Sequence, residues 1–304
     1  TLTAKWDEAV ARIGETYYTT LEAAYAAANA NDTIVLLKNI ELDGYIEIRK
    51  DLTIDLNGKT LTSKGNGVLD VYSALTITDA SDAKTGKISG NRWGVWTNAE
   101  AELTLEAGTI EAVGYAIISE GSSKVKVEGG TIKAENGINL NDNSEAVVEG
   151  GSISGKWGIT AFNNAKLTVN NGTITGSEGG SAVSTNGNAG QNATIVINGG
   201  TITAADEIAI YLPSGSLTVN DGAITGTTAI YVKSGKADIK GGTIKATGAA
   251  AEYNFNGNGA NPTGDAIVID NCGYPNGEAV VTITGGDISS ANGKQVGACT
   301  GHFE

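Results

Sequence analysis

Acid–base chemistry needs particular groups in particular pairs: two opposed carboxylates for a glycosidase, a histidine beside a nucleophile for acyl transfer, or calcium and a basic side chain at a sugar α-carbon for a lyase. The sequence offers few of these. Its one histidine, His302, lies close to the end of the chain, where no Ser or Cys triad can be built on it. The arginines are Arg12, Arg49 and Arg92, all in the first third, so the later segments carry only lysines. Asp206 and Glu207 are adjacent, the pattern of a solvated turn. Asp238, Asp265 and Asp287 follow Thr218, Thr228 and Thr243 one repeat earlier, so none is expected to face a second carboxylate. The nine-residue Gly-Asp calcium repeat is absent. The expected outcome is a chain with no catalytic residues, no metal and no cofactor.

Aromatic stacking is the chemistry better represented. Trp, Tyr and Phe make up only 6% of the chain, yet Trp93, Trp96, Tyr115, Trp157, Tyr211 and Tyr231 recur near one phase of a repeat. An insertion over residues 247–265 leaves the chain at that phase and carries Tyr253 and Phe255 among asparagines. Exposed rings stack on the apolar faces of sugars while Asn, Asp and Thr read hydroxyls. The competing use is structural, because ring-on-ring stacking across strands stabilises a sheet by ~0.2–1 kcal/mol per pair without any ligand.

Such residues need elements that hold them in line, and the repeat supplies them. The apolar residue after each glycine turn gives the series Ile40, Leu61, Ile88, Ile110, Ile132, Ile153, Ile174, Ile202, Ile224, Ile244 and Ile288, mostly 21 or 22 residues apart. Each period holds three short stretches of alternating apolar and polar residues, such as LTV, TIT and AVS within 166–184. Period-2 alternation reads as strand. Three strands per period make a coil, and coils stacked at strand spacing make a parallel β-helix whose apolar column no single coil could bury. The expected fold is all-β: a right-handed, single-stranded parallel β-helix of about 11 coils. Gly108, Gly130, Gly151, Gly172, Gly200, Gly222, Gly242 and Gly286 each precede such a strand, where a turn needs positive φ. Residues 1–38 are expected to form an N-terminal strand and capping helix, and 39–304 the β-helix. The helix is read over 19–31, with Thr19 and Glu22 as a capping box and Leu21, Ala24, Tyr25 and Ala28 as its apolar face.

Cys272 and Cys299 are 27 residues apart, one coil and a few residues. Equivalent turns of adjacent coils lie near bridging distance, so a disulfide is one reading and two buried thiols the other. A bridge would imply an oxidising, extracellular setting. The formal charge of −14 disfavours nucleic acid and acidic glycans and favours a neutral ligand. No apolar run approaches the roughly 18 residues of a membrane helix, so no membrane insertion is expected. The chain opens at Thr1 without Met, as a mature or trimmed chain would.

The opening AVARIGETYYTTLEAAYAAANANDTIVLL, with Ala11, Ile13, Gly14, Tyr18, Thr20, Leu21 and Ala24, is followed by GGTI-type coils. It resembles the pectate-lyase-like β-helical domains of secreted Gram-positive surface proteins, common among gut anaerobes, over essentially the whole chain. The resemblance implies an extracellular place on a bacterial cell surface, within a larger anchored multidomain protein, and an adhesive role. A looser likeness to non-catalytic starch-adherence modules of gut bacteria implies an α-glucan. The function expected from residues and resemblance together is carbohydrate binding without catalysis. The alternatives are a protein- or mucin-binding adhesin or rigid spacer, a polysaccharide lyase or hydrolase, and ice binding. The last rests on the Thr173/Thr175 and Thr201/Thr203 pairs, a face interrupted by Lys133, Ala223 and Lys245.

Overall fold

The computed structural model describes residues 8–253, 261–271 and 274–299. The Thr-Ile strands stack as their spacing predicts. From Ile40 to Ile288 every member of the series pairs in parallel with the next, giving about ten turns. Leu61 through Ile244 in this column are fully buried. A second inward column, Ile46, Leu69, Val95, Ile117, Ile138, Ile159, Val183, Ile210, Ile230 and Ile267, rises on the third strand of each coil. The first strands form a 13-stranded sheet, and the second and third strands together an 18-stranded one. In four coils the second and third strands run on as one, over Ser152–Ala161, Thr173–Thr185, Thr201–Leu212 and Ala223–Val232. Register shifts such as that between Gly155 and Trp157 replace the turn there.

The eight glycines before the Thr-Ile strands all have positive φ, from 74° at Gly130 to 110° at Gly222. A Cβ at Gly151 would lie 2.8 Å from the carbonyl oxygens of Gly129 and Gly130 in the coil beneath. Both the turn and the tight stacking therefore require glycine.

Helix α1 (Leu21–Ala27) lies at the N-terminal end of the core and buries Leu21 and Ala24. Its N-cap is Thr20, one residue later than the sequence reading, and the Thr20 hydroxyl accepts a 3.1 Å hydrogen bond from the Ala23 N–H. It also ends earlier than residue 31. Asp32 Oδ2 accepts the Asn29 N–H at 2.8 Å, which ties the chain into a turn that competes with helix. The Lys50 ammonium then satisfies the free carbonyls of Tyr25 and Ala28 at 2.9 and 2.8 Å. An antiparallel hairpin, Ala11–Ile13 with Thr16–Tyr18, closes the edge of the first sheet beside Asp32–Leu36. Asp32–Leu36 is itself the first parallel rung, pairing with Leu52–Asp55. Among the described residues no helix is long and apolar enough to cross a membrane.

Candidate functional site

The third strands place one outward residue per coil directly above the last. The ladder runs Glu47, Asp70, Trp96, Ile118, Asn139, Thr160, Ser184, Tyr211, Tyr231, Val268. A parallel corner column holds Gly67, Trp93, Tyr115, Asn136, Trp157, Ser181, Ile208 and Thr228. The expected aromatic residues do line up, and they fall into two groups with different surroundings.

The lower group is partly open to solvent. Trp96 is half-buried, and its ring meets Trp93 edge-on at 5.7 Å. Tyr45, two coils earlier and 52% exposed, leans on Trp93 at 5.8 Å. Trp93 itself is 6% exposed, so it backs the patch rather than facing a ligand, a correction to the expectation. The reason is Gly67: a Cβ there would meet the indole at 2.0 Å, so the missing side chain is the notch that receives Trp93. Tyr115 and Trp157 are half-buried on the corner column, two rungs apart, roughly 10 Å at strand spacing.

Polar groups surround this patch. Trp96 Nε1 donates to Glu120 at 3.2 Å. Asp70 accepts from the Asn98 amide at 2.6 Å and the Tyr72 hydroxyl at 3.3 Å. Arg49 stacks 4.1 Å over the Tyr72 ring and pairs with Glu47 at 2.8 Å. Burial pushes the Asp70 carboxyl above its ordinary value, with the Glu47 charge adding to the effect and the Tyr72 and Asn98 hydrogen bonds opposing it. Glu47 and Asp70 are ladder partners, so two carboxylates do stand in adjacent coils. In the later coils, by contrast, Asp238 and Asp287 stack on Thr218 and Thr243, as their spacing predicts. Extending the third-strand column down to Leu69 and Ile46 would have found Glu47, Asp70 and Tyr45.

The middle of the face is flush and polar. Asn139, Thr160 and Ser184 are all buried, and the Asn139 amide donates to the Thr160 hydroxyl at 2.7 Å.

The upper group is closed. Tyr231 was expected on the ligand face but is fully buried, in a cluster with Ile208 and Val268 onto which Tyr211 and Tyr253 pack. Tyr211 and Tyr231 meet at 6.1 Å. The start of the insertion brings Tyr253 over this ladder, and both Tyr231 and Tyr253 donate to Asp270 Oδ2, at 2.9 and 2.7 Å. Burial and the Asp270 charge push the Tyr231 hydroxyl far up from its ordinary value. Tyr211 and Tyr253 remain half-buried. A cleft of about 520 Å³ beside the insertion is lined by Glu252, Tyr253, Asp265 and Lys294 among others. Phe255, Cys272 and the Cys299 side chain lie outside the described residues.

The stacked parallel coils have a counterpart among known families. Residues 93–259 match the family model described as the right-handed β-helix region. The chain belongs to that family. No curated protein and no solved structure matches it. Right-handed β-helices carry many functions on one scaffold, so the activity has to be argued from the patch itself.

Proposed function

We propose that this right-handed β-helix binds a neutral polysaccharide, with a starch-type α-glucan as the specific ligand, and does not cleave it. The observation that carries the reading is the aromatic patch of exposed Tyr45 and half-buried Trp96 backed by buried Trp93, with Tyr115 on the adjacent coil and Asp70, Asn98 and Glu120 at its margin. Rings of this kind offer flat apolar area at low conformational cost, and the polar rim suits hydroxyls. The expected setting, from the resemblance of the opening segment, is the surface of a bacterium, within a larger anchored protein. Calorimetry and affinity electrophoresis against a panel of glucans test the proposal. Binding that weakens in Trp96→Ala and Tyr45→Ala supports it; absence of binding to every glucan, or unchanged binding in both variants, removes it.

One observation favours a second reading. The Glu47–Asp70 pair, with one carboxyl raised by burial, has the outline of an acid–base couple beside an aromatic platform. Sustained release of reducing sugar from a bound polysaccharide, lost in Asp70→Asn, would establish hydrolysis in place of simple binding.

A further inference from the structure

The buried cluster beneath Tyr253 holds an amine and a carboxyl group that the glycan reading does not use. Lys233 and Asp270 are 1% and 0% exposed, with Nζ 3.9 Å from Oδ2. They follow Val232 and Ile269, which are ladder partners, so the two side chains stand on adjacent coils. Aromatic rings wall the pair. Tyr231 and Tyr253 reach it through their hydroxyls, and Lys233 Nζ lies 5.0 Å from the centre of the Tyr274 ring. The two carboxyl oxygens of Asp270 are treated differently. Oδ2 accepts both tyrosine hydroxyls, whereas Oδ1 is buried with no hydrogen-bond partner among the described residues. A buried carboxylate oxygen left bare is costly, and an ion pair kept this dry gains little over an uncharged replacement.

We propose that Lys233 and Asp270 condense to an intramolecular amide. Written from the ion pair, two protons pass from Nζ to Oδ1, the Nζ–Cγ bond forms, the Cγ–Oδ1 bond breaks, and Oδ1 leaves as water. No electrons are exchanged with any other species, and the net charge of the pair is zero before and after. The tyrosine hydroxyls on Oδ2 stand where the negative charge of the tetrahedral intermediate develops. The fixed approach of the two groups replaces a bimolecular encounter, and their burial keeps bulk water from the reverse reaction. The product keeps Oδ2 as an amide oxygen with both its donors, and the bare Oδ1 is gone. The link would close a loop that contains the whole 247–265 insertion and staple it to the solenoid.

Intact-mass spectrometry of the full, folded chain under reducing conditions tests this, since reduction removes any contribution from cystine. The expected mass is that of the sequence less one water, and a protease digest should give one branched peptide containing both Lys233 and Asp270. Lys233→Arg and Asp270→Ala should each restore the unmodified mass. The wild-type measurement needs no variant to fold. Full sequence mass after prolonged incubation of the folded protein overturns the proposal, as does a water-sized loss that persists in Asp270→Ala.

Discussion

Trp96 and Tyr231 occupy the same outward column six rungs apart, and their fates differ because of what lies over them. Trp96 has its Nε1 tied to Glu120 and one side open. Tyr231 is covered by Tyr253, at the start of the insertion. Trp96→Ala should therefore weaken glucan affinity about tenfold, the equivalent of about 1.4 kcal/mol, while leaving stability nearly unchanged. Tyr231→Phe should do the reverse, with affinity unchanged and stability lowered by about 1 kcal/mol through the lost hydrogen bond to Asp270. Titration calorimetry and denaturant unfolding on the same two variants separate the roles. A different kind of residue governs pH response. Asp79 is fully buried, which alone would raise its carboxyl, but it accepts four hydrogen bonds, from the N–H groups of Gly58, Ser81 and Gly86 and the Ser81 hydroxyl. These outweigh burial and hold it below its ordinary value. A carboxyl depressed in the folded state adds stability above its unfolded value, about 3.9, and loses that contribution as pH falls through the folded one. Asp79→Asn should thus cost about 1.5–3 kcal/mol at neutral pH, and the gap to wild type should shrink on acidification below the ordinary carboxylate range. Urea midpoints measured across acid pH would show it.

At the scale of the element, each coil is held by its neighbours and by the caps on its turns. The core columns were legible in the sequence because Ile and Leu recur at a fixed step and glycine marks the bend just before them. The outer surface was less legible. Burial of Tyr231 depends on Tyr253, which reaches it from an insertion, and burial of Trp93 depends on a residue that is absent, the side chain of Gly67. Neither is a property of the strand that carries the aromatic ring. The helix shows the same limit: its apolar face was readable, but its C-terminal end was set by Asp32 and Lys50, which come from the following turn and the next coil. Helix α1 protects the end of the core through Leu21, which is 2% exposed. Leu21→Ala should cost about 2–5 kcal/mol, the range for emptying a buried leucine site. Because neighbouring rungs carry the support, hydrogen exchange should quicken first in Asp32–Leu36 and Leu52–Asp55. Amides of the coils beyond Ile174 should scarcely change.

At the scale of the whole molecule the solenoid is a one-dimensional stack, and its two specialised regions lie at different heights. The open aromatic patch belongs to the coils around Tyr45 to Glu120, and the closed cluster to those from Ile208 to Asp270. Between them the structure is a plain ladder, with Ile153, Ile174 and Ile202 stacked and fully buried. In such a stack stability is the sum of coil terms and nearest-neighbour interfaces, so a ligand on one coil can steady a distant one only if every interface between them holds. Glucan bound at the patch should then slow hydrogen exchange along the column well past the contact residues in the wild-type chain. Ile174→Ala leaves a cavity worth about 2–5 kcal/mol in the middle of that column. In this variant glucan should still protect the coils below residue 174 and should no longer protect those above it, with affinity unchanged because the patch is untouched. Protection that crosses the lesion undiminished would mean that the coils unfold as one unit, and that the stack is more cooperative than nearest-neighbour contacts can make it.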